Sequence, residues 1–111
     1  MIRYLTVFLA LPAFVSAETL NDDLFTQLSA AQIVVLGETH DNRAHHQTQA
    51  DIVAKIAPKA VVYEMITGAQ AALVRGDIMR DEAALEQMLG WNESGWPDFS
   101  IYYPVFAASV G

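Results

Sequence analysis

Three short stretches carry the residues best equipped for chemistry: Glu38-Thr39-His40 directly after Gly37, Glu64 at the end of an apolar run, and an aromatic segment over residues 91–106. Glycine lets the backbone turn abruptly, so Glu38 and His40, two positions apart, can reach one point. A neutral imidazole with carboxylates suits zinc, manganese or iron, and it equally suits general acid–base work. The structural alternative is that His40 caps the following helix while Glu38 pairs with Arg43. Glu64 belongs with them because an ionisable group closing an apolar strand is costly to bury without a partner. Its alternative role is a salt bridge or a helix cap. Glu38, His40 and Glu64 are thus the candidate catalytic and metal-ligating set.

A second group is suited to holding a planar ligand. Trp91, Trp96, Phe99, Tyr102, Tyr103 and Phe106 form either core or a flat apolar surface. A tyrosine phenolate from Tyr102 or Tyr103 is a candidate axial ligand to ferric haem. His45 and His46 open a helix with side chains about 100° apart, so they do not chelate one metal together. One of them faces the site and the other is solvated or capping.

These residues need elements to place them. Residues 32–37 are a short β-branched run ending in Gly37, the pattern of a strand buried on both faces of a parallel sheet. Residues 60–65 repeat it. The helix between them starts near Ala44, is capped by Asp41 or Asn42, and ends at Pro58, with Ile52, Val53 and Ile56 as its apolar stripe. On that helix His46 shares a face with Ala50 and Val53. Strand, helix and strand predict a right-handed βαβ unit and an α/β fold class with a parallel sheet. Ligands bind where such strands end, which is where Glu38, Thr39, His40 and Glu64 fall. Further on, the pattern predicts a short helix over 70–74, a turn at Gly76-Asp77, and a helix over 81–89 with Gly90 as its C-cap. Residues 91–98 read as an aromatic loop, followed by a helix from about Ile101 with Pro104 in its first turn. Two parallel strands and three short helices bury little, so the chain reads as the N-terminal part of a larger domain.

The 111 residues carry 13 acidic against 6 basic side chains, which excludes nucleic acid as the main partner. The absence of cysteine excludes disulfides, Fe–S clusters, thiolate zinc sites, a lipidated cysteine and covalent haem attachment. A phosphate-binding glycine loop and a Gly-x-Ser-x-Gly elbow are also absent. Residues 1–17, one basic residue followed by a short apolar run and Val15-Ser16-Ala17, predict a secretory signal peptide cleaved before Glu18. The run is shorter than a membrane span, so after cleavage no transmembrane segment is expected and the protein is expected outside the cytoplasm, in the periplasm if its source is a double-membraned bacterium. Residues 18–31 form a lead-in in which Leu24, Phe25 and Leu28 can share a helix face. Residues 32–111 form the domain part.

The stretches Val34-Val-Leu-Gly-Glu-Thr-His-Asp-Asn42, Ala44-His-His-Gln47, Val62-Tyr-Glu-Met65 and Gly95-Trp-Pro-Asp98, with Tyr102 and Pro104, together resemble the ChaN-like haem-binding uptake family of the Tiki superfamily. The resemblance covers about residues 33–108 and implies an extracytoplasmic α/β protein that handles haem or iron. It implies haem as cofactor and partner, a tyrosine iron ligand, and a homodimer around stacked haems. The wider superfamily includes proteins similar to metal-dependent proteases and esterases, which carries over an active-site role to Glu38, His40 and Glu64. His45 and His46 match the family's His-His pair. The leading expectation is therefore a non-enzymatic haem-binding protein with Tyr or His on the iron. The rival is a hydrolase in which a divalent metal ion held by Glu38, His40 and Glu64 activates water.

Overall fold

The computed structural model describes residues 20–110. Five helices follow one another: α1 (Asp22–Ala30), α2 (Arg43–Ile56), α3 (Gly68–Ala71), α4 (Glu82–Leu89) and α5 (Phe99–Ala108), with single 3-10 turns at Ile78–Arg80 and Trp91–Glu93. The central packing is α2 against α5. Asn42 starts α2 by accepting from the N–H groups of Ala44 at 3.0 Å and His45 at 3.4 Å. The helix stops at Ala57, whose φ of 43° is left-handed, and Pro58 prevents its continuation. Asp98 caps α5 through the Ser100 N–H at 2.9 Å.

Pro104 lies in the interior of α5 and so lacks the N–H that would bond the Ser100 carbonyl one turn back. Arg43, the first residue of α2, fills the gap by donating to the Ser100 carbonyl and to its hydroxyl, each at 3.2 Å. One guanidinium thus repairs the proline defect and ties the N-termini of α2 and α5 together. Asp81 caps α4 through the Ala84 N–H, and Gly90 ends it at a φ of 60°. Thr67 and Gln70 form a capping box on α3, from which Gln70 Nε2 also reaches the Leu89 carbonyl at 2.7 Å. Helix α1 buries none of its residues and is held by Lys55, which pairs with Asp22 at 3.2 Å and lies 4.0 Å above the Phe25 ring.

The core is aromatic. Leu85, Leu89, Trp91, Phe99, Tyr102 and Phe106 form its main cluster, and Ala50, Val53 and Val105 close the α2–α5 seam. Trp91 spends its only polar atom on the Pro97 carbonyl at 2.7 Å, which lets the rest of the ring sit against Phe99 and Tyr102 at 5.0 Å.

The expected parallel sheet does not form: among the described residues there is no strand, and the fold is helical rather than α/β. Residues 32–38 and 58–66 make no backbone–backbone hydrogen bond among the described residues. The alternation expected of strands is nonetheless present. Ile33, Val35 and Val62 are 82%, 88% and 95% exposed, while Val34, Leu36, Val61, Tyr63 and Met65 are half-buried. A β-branched run specifies an extended chain with two faces, but a ladder also needs a partner strand, which is a non-local condition. Here each segment is anchored by the helices instead. Val61 and Tyr63 pack on the α2–α5 seam, the Tyr63 hydroxyl bonds the Ser109 hydroxyl and the Val105 carbonyl, and the Leu36 carbonyl accepts from Gln49 at 3.1 Å.

Smaller corrections concern boundaries. Helix α5 begins at Phe99 rather than Ile101, so Pro104 lies past its first turn, and the short helix expected over 70–74 forms as α3. The expected signal peptide lies outside the described residues. Among those described, no helix is long and apolar enough to cross a membrane.

Candidate functional site

The turn between residues 39 and 42 gathers the site. The Asn42 N–H bonds the Thr39 carbonyl at 2.8 Å, and the Thr39 N–H bonds His45 Nδ1 at 3.0 Å, so the chain folds back over the start of α2. Glu38 and His40 then converge, with Glu38 Oε1 2.7 Å from His40 Nδ1. The other carboxylate oxygen lies 3.4 Å from Nε2 of His46, a residue with no solvent exposure on the buried face of α2. His46 Nε2 donates to the His40 carbonyl at 3.1 Å, and its ring packs against Tyr102 at 4.3 Å. Above this layer the Trp96 ring meets His40 edge-on at 4.8 Å, with Tyr102 at 6.2 Å.

Polar atoms are left unpaired inside this cluster. Glu38 Oε2, His46 Nδ1 and the Tyr102 hydroxyl are buried with no hydrogen-bond partner among the described residues. Each such group ordinarily costs about 1–3 kcal/mol, so three neighbours in one small domain mark a place where packing has not been optimised for stability alone. Electrostatics set the cluster apart too. The hydrogen bond that the Glu38 carboxylate accepts raises the His40 pKa above 6.5; desolvation opposes it, and the charges of Glu38, Glu64 and Asp41 reinforce it. Burial pushes the Tyr102 phenol up to about 12, with the same three carboxylates adding to the shift. Tyr102 is a neutral phenol at any physiological pH.

The family model described as haem-binding uptake, Tiki superfamily, ChaN, matches residues 24–110. The chain belongs to this family. No match was found among curated proteins or among solved structures. In this ChaN-family chain the structure unites four of the residues singled out from sequence: Glu38, His40, His46 and Tyr102. Glu64 is exposed and reaches the cluster through its charge. His45 is engaged in the turn, and Tyr103 packs on the edge of the aromatic core, 6.0 Å from Phe99. The two structural alternatives are also settled, since Arg43 binds Ser100 rather than Glu38, and Asn42 rather than His40 caps α2.

Among the described residues no three His, Asp or Glu side chains converge to hold a metal ion. A hydrolase that activates water on a metal bound by Glu38, His40 and Glu64 therefore has no support in this geometry. The residue missed as a site member is Trp96, which sequence reasoning grouped with the other aromatics. The available signal was Gly95-Trp-Pro-Asp98, where Gly95 takes a φ of 82° and so turns the loop back towards His40.

The family's name implies haem, and the residues present fit it. His40 offers an imidazole whose side chain is 53% exposed, Trp96 offers a ring beside it, and unpaired polar atoms lie beneath. Next to Glu38 a mainly apolar groove of about 380 Å³ runs between Val35, Leu36, His45, Gln49 and Ile52.

Proposed function

We propose that this protein binds haem outside the cytoplasm as part of haem or iron uptake, and that the haem rests on the surface around His40 and Trp96. The observation that carries the reading is the contact between these two residues. They come from separate sequence blocks, 56 positions apart in the chain, yet they meet at 4.8 Å over the cluster of unpaired polar atoms. The family match supports haem as the ligand class, and residues 1–17 support export.

In this reading Trp96 would supply an apolar face for the macrocycle and the turn at residues 39–42 holds the His40 imidazole beside it. Tyr102 packs beneath as a neutral phenol and holds His46 in place. When bound, haem would supply an iron that a protein donor can coordinate. The protein's part is to bind, orient and partly desolvate the macrocycle. A haem-bridged homodimer extends the proposal. Ile33, Val35 and Val62 present apolar side chains to solvent, and the resemblance implies pairing around stacked haems.

Haemin titrated into the protein should give a saturable change in the Soret band at micromolar concentrations, weakened by Trp96→Ala. A wild-type protein with no saturable change would refute the reading. Sedimentation with and without haemin tests the pairing, and an N-terminus at Glu18 in the periplasmic fraction tests the export.

A further inference from the structure

The two extended segments lie on the helices through their side chains, and their backbones are unused. No N–H of residues 32–38 donates a hydrogen bond among the described residues, and the Leu36 carbonyl is held only by the Gln49 side chain at 3.1 Å. Extended backbone with free N–H and C=O groups is an open edge, which native proteins ordinarily guard with proline or charge. Residues 58–64 are guarded in this way, by Pro58, Lys59 and Glu64. Ala31-Gln-Ile-Val-Val-Leu-Gly37 has neither proline nor a charged side chain, and its Ile33 and Val35 are 82% and 88% exposed.

The unguarded segment is also complementary to itself. In an antiparallel pair centred on Val34, Ile33 falls opposite Val35 of the partner subunit, and Gln32 opposite the partner's Leu36. The exposed side chains of both copies then share one face as two apolar cross-strand pairs, the contact that stabilises such ribbons. Glu38, the first charged residue after the segment, falls level with the partner's Ala30, so the ribbon brings no like charges together. A two-fold arrangement uses each edge once and closes.

We infer that residues 32–37 form the interface of a ligand-free homodimer, pairing antiparallel with the same residues of a second copy. With 13 acidic against 6 basic residues the two copies repel at long range, and the ribbon is small beside the roughly 800 Å² per partner of a standard interface. The dimer is therefore weak, reversible and strengthened by salt. The contact needs no haem, so it stands or falls apart from the haem-binding reading.

The test is sedimentation of the ligand-free full chain over a concentration series at low and high salt, with hydrogen exchange measured at both ends of the series. A monomer–dimer equilibrium should appear, shift towards dimer with salt, and slow exchange at the amides of residues 32–37. Val35→Lys should abolish it, although it lowers the net negative charge and so favours any association limited by charge alone. Val62→Lys, a similarly exposed change on the guarded segment, should leave it intact. Both side chains face solvent, so neither variant should lose helical circular dichroism. Because the chain has no cysteine, introduced thiols report the register. Ile33→Cys mixed with Val35→Cys should give the mixed disulfide in excess of either symmetric one, since opposed residues lie about 5 Å apart and diagonal ones about 7–8 Å. The proposal is overturned by a chain that stays monomeric at high salt, by an open-ended aggregate, or by a dimer that survives Val35→Lys. Association without protection at residues 32–37, or with symmetric disulfides in excess, overturns it equally.

Discussion

Replacing Tyr102 with Phe should make the ligand-free protein more stable. The Tyr102 ring is fully buried, 4.3 Å from His46 and 5.0 Å from Trp91, and these contacts persist with phenylalanine. Only the hydroxyl is removed, and it has no partner among the described residues. An unsatisfied buried hydroxyl costs about 1–3 kcal/mol, and the vacated volume of one oxygen returns little of that as a cavity penalty. A gain of about 1–2 kcal/mol follows, and at roughly 4–8 °C per kcal/mol for a domain of this size the melting temperature should rise measurably. Thermal and urea denaturation of the two proteins, followed by circular dichroism, make the comparison. Alkaline pH gives a second handle. A phenol that ionises near 12 when folded and near 10 when unfolded keeps its proton in the native state after the unfolded chain has lost it. Stability should therefore fall as pH rises from 10 towards 12, less steeply in the Phe variant, with Tyr63, also raised by burial, keeping its share. A Tyr102→Phe protein less stable than wild type at neutral pH would refute the reasoning, because it would mean that the hydroxyl is bonded in solution.

Arg43→Met should destabilise by about 1 kcal/mol through loss of the bonds to Ser100. Most of that loss should disappear in a Pro104→Ala background, where residue 104 can serve the Ser100 carbonyl itself; a urea double-mutant cycle checks it. Gly90→Ala should cost about 1–2 kcal/mol, since a side chain there meets no neighbour within 4 Å and the penalty is that of the left-handed backbone alone. NMR titration of the ligand-free protein should place His40 above 6.5 and return it towards that value in Glu38→Gln. The stabilisation from this pair should be complete below pH 6.5 and fade as pH rises through the higher folded-state value.

The helical part of the fold is legible in the sequence because its determinants are local. Asn42 and Pro58 bracket α2, Asp81 and Gly90 bracket α4, and the face shared by His46, Ala50 and Val53 is the face that α2 buries. The β-branched runs carried a true signal as well, since their side chains alternate between solvent and helices. Alternation reports that a chain is extended with one face covered; it does not report what covers that face or whether the backbone finds a ladder. Residues 32–37 and 60–65 lie on helices through their side chains, so the same pattern that suggests a sheet is satisfied without one. Pro104 shows the same limit at shorter range. Proline suits a first helical turn, but Arg43 from another helix supplies the missing hydrogen bond and lets α5 start earlier.

The site illustrates why residue type and spacing stop short of chemistry. Glu38 and His40 were recognisable as a pair because Gly37 allows the turn, and their 2.7 Å contact is what two positions of separation permits. Nothing in Gly-Glu-Thr-His or His-His states which imidazole is buried, which is tied into the turn and which stays exposed. The surroundings of each ring come from contacts made in the fold: the Thr39 N–H and the Asn42 amide at His45, the His40 carbonyl at His46, and the Glu38 carboxylate at His40. The longest of these contacts reach only six residues along the chain, yet they depend on the turn closing over α2. Buried polar atoms left unpaired beneath the His40 ring cost stability, and a fold selected for stability alone would replace Tyr102 by phenylalanine. Their presence in one layer, under the exposed His40 ring, is what distinguishes this cluster from an ordinary aromatic core.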